Sequence, residues 1–209
     1  MSLFKDRIGP AIADYLAARA EPEMAPYRKS VVEQARGRVL EIGAGTGFNV
    51  RHYPAGVEEL VVTEPGQALL RRAEQRAAES GRAIRAVVAP AERLPFEDAY
   101  FDTVVSTLVL CSVRDQDEAL AEVRRVLKPG GRFLFLEHVR ADDPRKARRQ
   151  DRWNRPWRVV AMGCNANRAT LGRIEAAGFT VEDLQHGELP KSPQLIRPMI
   201  VGRAIAPNA

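Results

Sequence analysis

The stretch VLEIGAGTGFN, Val39 to Asn49, decides how this chain folds. A hydrophobic run carrying one acid, Glu41, ends in glycines at 43, 45 and 47. A turn directly after a buried strand must reverse the chain in little space. Glycine reaches positive φ there and leaves no Cβ between backbone and ligand. In open α/β sheets such turns lie outside the carboxyl ends of the strands, where ligands bind. Dinucleotide binding uses G-x-G-x-x-G, which brings a pyrophosphate to the following helix N-terminus. Counting from Gly43, the third glycine of that pattern would fall on Phe48, whereas the actual third glycine is Gly47. The loop reads E-x-G-x-G-x-G and predicts a smaller, zwitterionic ligand bearing an adenosine.

Glu64 supports the adenosine. It ends the next predicted strand, about 20 residues past the loop, where a carboxylate accepts hydrogen bonds from both ribose hydroxyls. S-adenosylmethionine fits this set: its amino group seeks acids and carbonyls, and its carboxylate seeks backbone N–H groups.

Working outward, strands alternate with helices. Strands are predicted at Arg38 to Ile42, Leu60 to Thr63, Ala83 to Ala89, Phe101 to Ser106 and Arg132 to His138. Gln67 to Ser80 reads as a helix stopped by Gly81. Asp115 and Glu118 form a capping box for another helix, with Leu120, Val123 and Leu127 on one face and LKPGG as its stop. This alternation implies parallel pairing. The tail differs: a helix over Asn167 to Ala177 precedes two strands, Phe179 to Gln185 and Ile196 to Ile205, with no helix between them, so they pair antiparallel. Before the sheet, residues 1–36 read as an N-terminal helical segment, a lid or a packing element. It comprises a helix from Leu3 to Ala18 divided at Pro10 and a second from Glu23 to Arg36. Residues 37–209 form the main domain.

The 209 residues are 45% hydrophobic and 28% charged, enough for one core. Cys111 and Cys164 show no metal-ligand spacing, so no metal and no disulfide framework are expected, and the setting reads as reducing and cytoplasmic. The charged N-terminus, with Lys5, Asp6, Arg7 and Asp14, is neither a signal peptide nor a membrane span. The net charge of +5 is concentrated in RKARRQDRW, Arg145 to Trp153. That run reads as a solvated helix face or as a weak, peripheral contact with an anionic membrane surface. It lacks a nucleic-acid recognition pattern.

The ordered segments VLEIGAGTGFN, VVTEP, AERLPFEDAYFD, STLVL and LKPGGRFLFLEH resemble the motifs of class I S-adenosylmethionine-dependent methyltransferases. The resemblance implies a Rossmann-like, seven-stranded, mostly parallel sheet with an antiparallel C-terminal strand and helices on both faces. It also implies that Glu41, Gly43, Ala44, Gly45, Thr46, Gly47 and Asn49 hold the methionine part. By the same resemblance Glu64 and Pro65 take the ribose, Ala91 and Glu92 border the adenine, and Thr107 and Leu108 lie near the sulfonium. Pro90 stands where many relatives carry an acid that caps the adenine amine. The features CSV (Cys111 to Val113), EHV (Glu137 to Val139), GCN (Gly163 to Asn165), LQH (Leu184 to His186) and Arg197-Pro198 are similar to the thiol S-methyltransferase branch.

The resemblance implies a small acceptor, a thiol or other lipophilic molecule. Alternatives are a quinone- or phospholipid-type C- or N-methyltransferase, a nicotinamide-dependent oxidoreductase and a non-catalytic cofactor-binding module. His138, at the end of the fifth strand, is the candidate base or substrate-facing group. His186 also borders the expected active edge. Trp153 and Trp157, four apart on a helix opened by Asp142, Asp143 and Pro144, pack on the core or line an acceptor pocket. Cys164 and Asn165 are candidate pocket residues, and Arg197 either steers an anionic substrate or pairs with an acid. Tyr27 is a candidate for closing over the cofactor.

Overall fold

The computed structural model describes residues 9–161 and 163–208. Helix α1 runs from Gly9–Val32, so the part of the expected first helix before Gly9 lies outside the described residues. The expected division into two helices is not found: α1 continues through Pro22 and Pro26. Tertiary contacts offset the missing N–H groups. Met24, Val31 and Val32 are buried against the sheet, and Glu21 takes Arg28 and Arg51 as ion-pair partners at 3.1 and 2.8 Å.

The sheet comprises β1 (Gly37–Ile42), β2 (Val57–Thr63), β3 (Arg85–Val87), β4 (Phe101–Thr107), β5 (Leu127–His138), β6 (Thr180–Glu188) and β7 (Pro198–Ile205). Their order is β3-β2-β1-β4-β5-β7-β6. The first five pair parallel, and β7 runs antiparallel to both β5 and β6. This is the Rossmann-like sheet with an antiparallel final strand that the sequence predicts. Strand β3 is shorter than expected, and β5 starts at Leu127, directly on the end of the preceding helix, so that LKPGG belongs to the strand.

Side-chain alternation explains the two layers. On β5, Phe133 and Phe135 join the cluster with Leu120 and Val123 of α3 (Gln116–Val126) and Ile174 of α5 (Thr170–Ala176). Leu134 and Leu136 face the other way, toward Val31 and Val32 of α1 and Leu70 of α2 (Gln67–Glu79). Helix α4 (Pro144–Val160) lies beyond β5. Asp143 caps it, its carboxylate accepting from the N–H groups of Arg145 and Lys146 at 2.8 and 2.9 Å. Asp115 caps α3 in the same way. The parallel strands β1, β2, β4 and β5 end on one edge, and the loops that follow them build the site.

Candidate active site

The glycine loop has the backbone its sequence demands. Gly43, Gly45 and Gly47 have φ of 57°, 55° and 84°. Each does a different job. A Cβ on Gly43 would come within 2.6 Å of Val109, and one on Gly47 within 2.7 Å of the Ala73 backbone, so these two let loop, strand and α2 close together. A Cβ on Gly45 would meet nothing within 4 Å. Gly45 instead borders a cleft of about 190 Å³ lined by residues that include Arg28, Glu41, Thr46, Thr107 and Leu108.

A hydrogen-bond network holds one wall of the cleft. Glu41, 2% exposed, accepts from Tyr53 Oη at 2.8 Å and Asn49 Nδ2 at 2.9 Å. Asn49 Nδ2 also donates to Thr107 Oγ1 at 2.9 Å, and its Oδ1 accepts from Arg28 at 3.1 Å. Burial outweighs these partners and pushes the Glu41 carboxyl up to about 7. Glu64, at the end of β2, accepts from Gly45 N at 3.1 Å and Gly66 N at 2.9 Å, and burial raises its pKa too. Leu108 has φ of 59°, a strained conformation for leucine, and is tied by its N–H to Leu136 O at 2.8 Å.

Beyond Leu108 a second cluster forms. Cys111 lies in the β4–α3 loop, His138 ends β5, and Cys164 lies between α4 and α5. Their ligand atoms are all within 4.8 Å of one another. His138 Nε2 is 3.0 Å from Cys164 Sγ, and the Cys111 thiol donates to Leu108 O at 3.4 Å. Trp157 Nε1 donates to Cys164 Sγ at 3.4 Å. Asn165 locks the two loops together, its backbone N and Nδ2 donating to Cys111 O at 2.8 and 3.0 Å. The hydrogen bond from Cys111, aided by His138 and Trp157, holds the Cys164 thiol down to about 4. The reciprocal bond and burial push Cys111 well up. Beneath the cluster, Glu137 is fully buried, and its Oε1 accepts from Ser106 Oγ at 2.7 Å, Val109 N at 3.0 Å and Leu110 N at 3.2 Å.

The predicted site residues thus separate into groups. Glu41, Gly43, Ala44, Gly45, Thr46, Thr107 and Leu108 line the cleft, Asn49 braces it, Gly47 packs behind it, and Glu64 and Pro65 sit at its β2 side. Ala91 is buried in the core, and the Glu92 carboxylate accepts from Arg114 N at 2.6 Å, bracing the loop before α3. His138, Cys164, Asn165 and Trp157 meet in the second cluster. Trp153 is 53% exposed. His186 is exposed on β6. Strand β6 lies two strands from β5, which places the His186 backbone roughly 10 Å from that of His138. Arg197 donates to Ser192 O at 3.2 Å, within its own loop. Arg28, rather than Tyr27, reaches the cleft from α1. The sequence reading missed Arg28, Glu137 and the meeting of the two cysteines. Buried acids beside a strand end, as in EHV, were the available signal for Glu137.

The donors in the cleft suit S-adenosylmethionine: carboxylates for its ammonium and ribose, loop N–H groups and Arg28 for its carboxylate, and open space over Gly45. When bound, it supplies a methyl group already activated on a sulfonium. A model of the methyltransferase domain matches residues 40–135. Human thiol S-methyltransferase TMT1A is 38% identical over 178 residues, covering 80% of this chain and 70% of its own. The ubiquinone/menaquinone biosynthesis C-methyltransferase UbiE of Bordetella avium is 41% identical over 112 residues, but this covers 51% of this chain and 43% of UbiE. An S-adenosylmethionine-dependent methyltransferase from Mesorhizobium loti superposes with a TM-score of 0.65 at 21% identity, over 89% of this chain and 97% of that one. The chain belongs to the S-adenosylmethionine-dependent methyltransferases, in the family that includes the thiol S-methyltransferases.

Proposed function

We propose that this methyltransferase transfers its methyl group to the sulfur of a small, lipophilic thiol. The observation that carries this reading is the cluster of Cys111, His138 and Cys164 next to Leu108, on the edge of the donor cleft. Transfer from a sulfonium is an in-line displacement, so alignment of the acceptor and exclusion of water are the main demands. Such positioning contributes about 7–11 kcal/mol. An oxygen or carbon acceptor would also need a strong, free base. Here the imidazole of the cluster, His138, already faces Cys164. A thiol needs less: its pKa of about 8.5 leaves some thiolate at neutral pH, and one stabilising group increases that fraction. Similarity to TMT1A over 80% of the chain, against 51% for UbiE, supports the same choice.

The test is incubation with labelled S-adenosylmethionine and a panel of alkyl and aryl thiols, quinols and phosphatidylethanolamine. Thiols are expected to be labelled and the others not. Labelled quinol with unlabelled thiols would overturn the proposal and favour the UbiE-like reading.

Where a lipophilic acceptor enters is suggested by α4. Among the described residues no helix is long and apolar enough to cross a membrane. Yet α4 exposes Trp153, Val159 and Val160 among Arg145, Lys146, Arg148, Arg149, Arg152, Arg155 and Arg158. Its partly buried face carries Trp157 to Cys164. A basic helix with exposed apolar side chains suits the surface of an anionic bilayer. Cosedimentation with phosphatidylserine vesicles, falling with salt, is expected. Equal binding to neutral vesicles would contradict it.

A further inference from the structure

We propose that Cys111, His138 and Cys164 form a binding site for a zinc-class ion whose fourth position takes the acceptor thiol. The acceptor part rests on the thiol reading above; the ion site itself does not.

The first support is the donor set. Two sulfurs and one imidazole select soft or borderline ions, zinc foremost among the common ones. Three protein ligands with one position open is the arrangement of catalytic rather than structural zinc. The second is geometry. Bonds of about 2.3 Å to sulfur and about 2.0–2.1 Å to nitrogen put tetrahedral donors roughly 3.5–3.8 Å apart. The three donors lie within 4.8 Å of one another, with His138 and Cys164 at 3.0 Å, so small side-chain rotations bring them to that spacing.

The third is rigidity around the donors. His138 is 3% exposed at the end of a central strand, enclosed by the surrounding packing. Glu137 fixes the loop that carries Cys111, and Arg168 clamps the same loop through Leu110 O and Val113 O. Asn165 fixes Cys164 against it, and Asn154 of α4 in turn accepts from Ala166 N at 2.8 Å. The Trp157 N–H on Cys164 and the Ser112 hydroxyl 3.4 Å from Cys111 are outer contacts of the kind that orient metal thiolates.

Such an ion would do what no side chain here does alone. A thiol that coordinates a divalent ion loses its proton outright, and that proton passes to water. The acceptor sulfur then uses a lone pair to form its bond to the methyl carbon. The bond from that carbon to the sulfonium breaks, and its electron pair stays with the departing thioether. The methylated acceptor is itself a neutral thioether, a poor ligand, and leaves.

The experiment uses the full chain, stripped with chelator under reductant and titrated with Zn²⁺ or Co²⁺. The expected result is one ion per chain, an intense tetrahedral cobalt spectrum with a thiolate charge-transfer band, and protection of both cysteines from a thiol reagent. Cys111→Ser and Cys164→Ser each weaken the charge-transfer band, and the double serine variant abolishes it. Trp157→Phe, which removes the N–H on sulfur together with part of the ring, weakens binding by about 10–100-fold. Thermal melts confirm that the variants fold, and the protection assay needs no variant. The site is overturned if the wild type binds zinc no tighter than the double serine variant, if the cobalt spectrum is weak and octahedral, or if a Cys111–Cys164 disulfide persists in reductant. Thiol methylation at full rate by stripped protein overturns the ion's role and leaves the thiol reading standing. A loaded ion with no thiol methylated does the reverse, upholding the site and refuting the reading.

Discussion

Replacing Glu41 by glutamine tests the donor cleft through its own protonation. The carboxyl is 2% exposed, and its pKa lies at about 7 against an ordinary 4.5. Between those values the folded protein holds a proton that the unfolded chain has lost. Stability from this group is therefore fully present below pH 4.5 and is lost as pH rises to about 7. At 1.36 kcal/mol per unit the loss totals about 3 kcal/mol. Glu41→Gln keeps the shape and an acceptor for Tyr53 or Asn49, and it has nothing to ionise. Relative to wild type, it should gain about 3 kcal/mol between pH 4.5 and 8, which for a chain of this length is about 6–12 °C in melting temperature. Thermal melts of both proteins across that range measure it directly. Donor binding should show the opposite trend. With ionised Glu41 as the proposed partner of the ligand's ammonium, wild-type affinity for S-adenosylhomocysteine should rise through pH 7, while that of the variant should stay flat and weak. Parallel melting curves and parallel affinities for the two proteins would refute the reasoning.

The loop glycines should separate stability from binding. Gly47→Ala drives a Cβ to 2.7 Å from the Ala73 backbone at φ 84° and should cost about 1–3 kcal/mol in urea titrations. Gly45→Ala meets no atom and carries only the left-handed strain of φ 55°, about 1–2 kcal/mol, so it should cost less stability than Gly47→Ala while lowering donor affinity in calorimetry. Glu137→Ala leaves Ser106 Oγ and two backbone N–H groups bare in the core; about 3 kcal/mol or more should be lost on denaturation. Asp143→Ala removes the cap of α4, costing about 0.5–2 kcal/mol by the same measurement.

What the sequence could reveal depends on the range of the interaction. The strand rhythm, the positive-φ glycines, the caps at Asp115 and Asp143 and the antiparallel tail are set by neighbours a few residues apart, and all were legible. Helix α1 was misread because proline's local cost is visible in sequence and the ion pairs of Glu21, which hold the helix across Pro22, are not. Arg28 looked like any solvated arginine until α1 laid it beside Asn49. Cys111 and Cys164 show the limit most clearly. They are 53 residues apart, so no ligand spacing relates them. Their meeting follows from topology: β4 and β5 are adjacent and parallel, so the loop after one and the last residue of the other share an edge. Asn165, bound to Cys111 O, brings the α4–α5 loop to that same edge. The donor half of the site is thus written locally, in one strand and its turn. The proposed acceptor half is assembled from three distant segments, so the chain shows its methyl donor in sequence, whereas the cluster of Cys111, His138 and Cys164 forms only once folded.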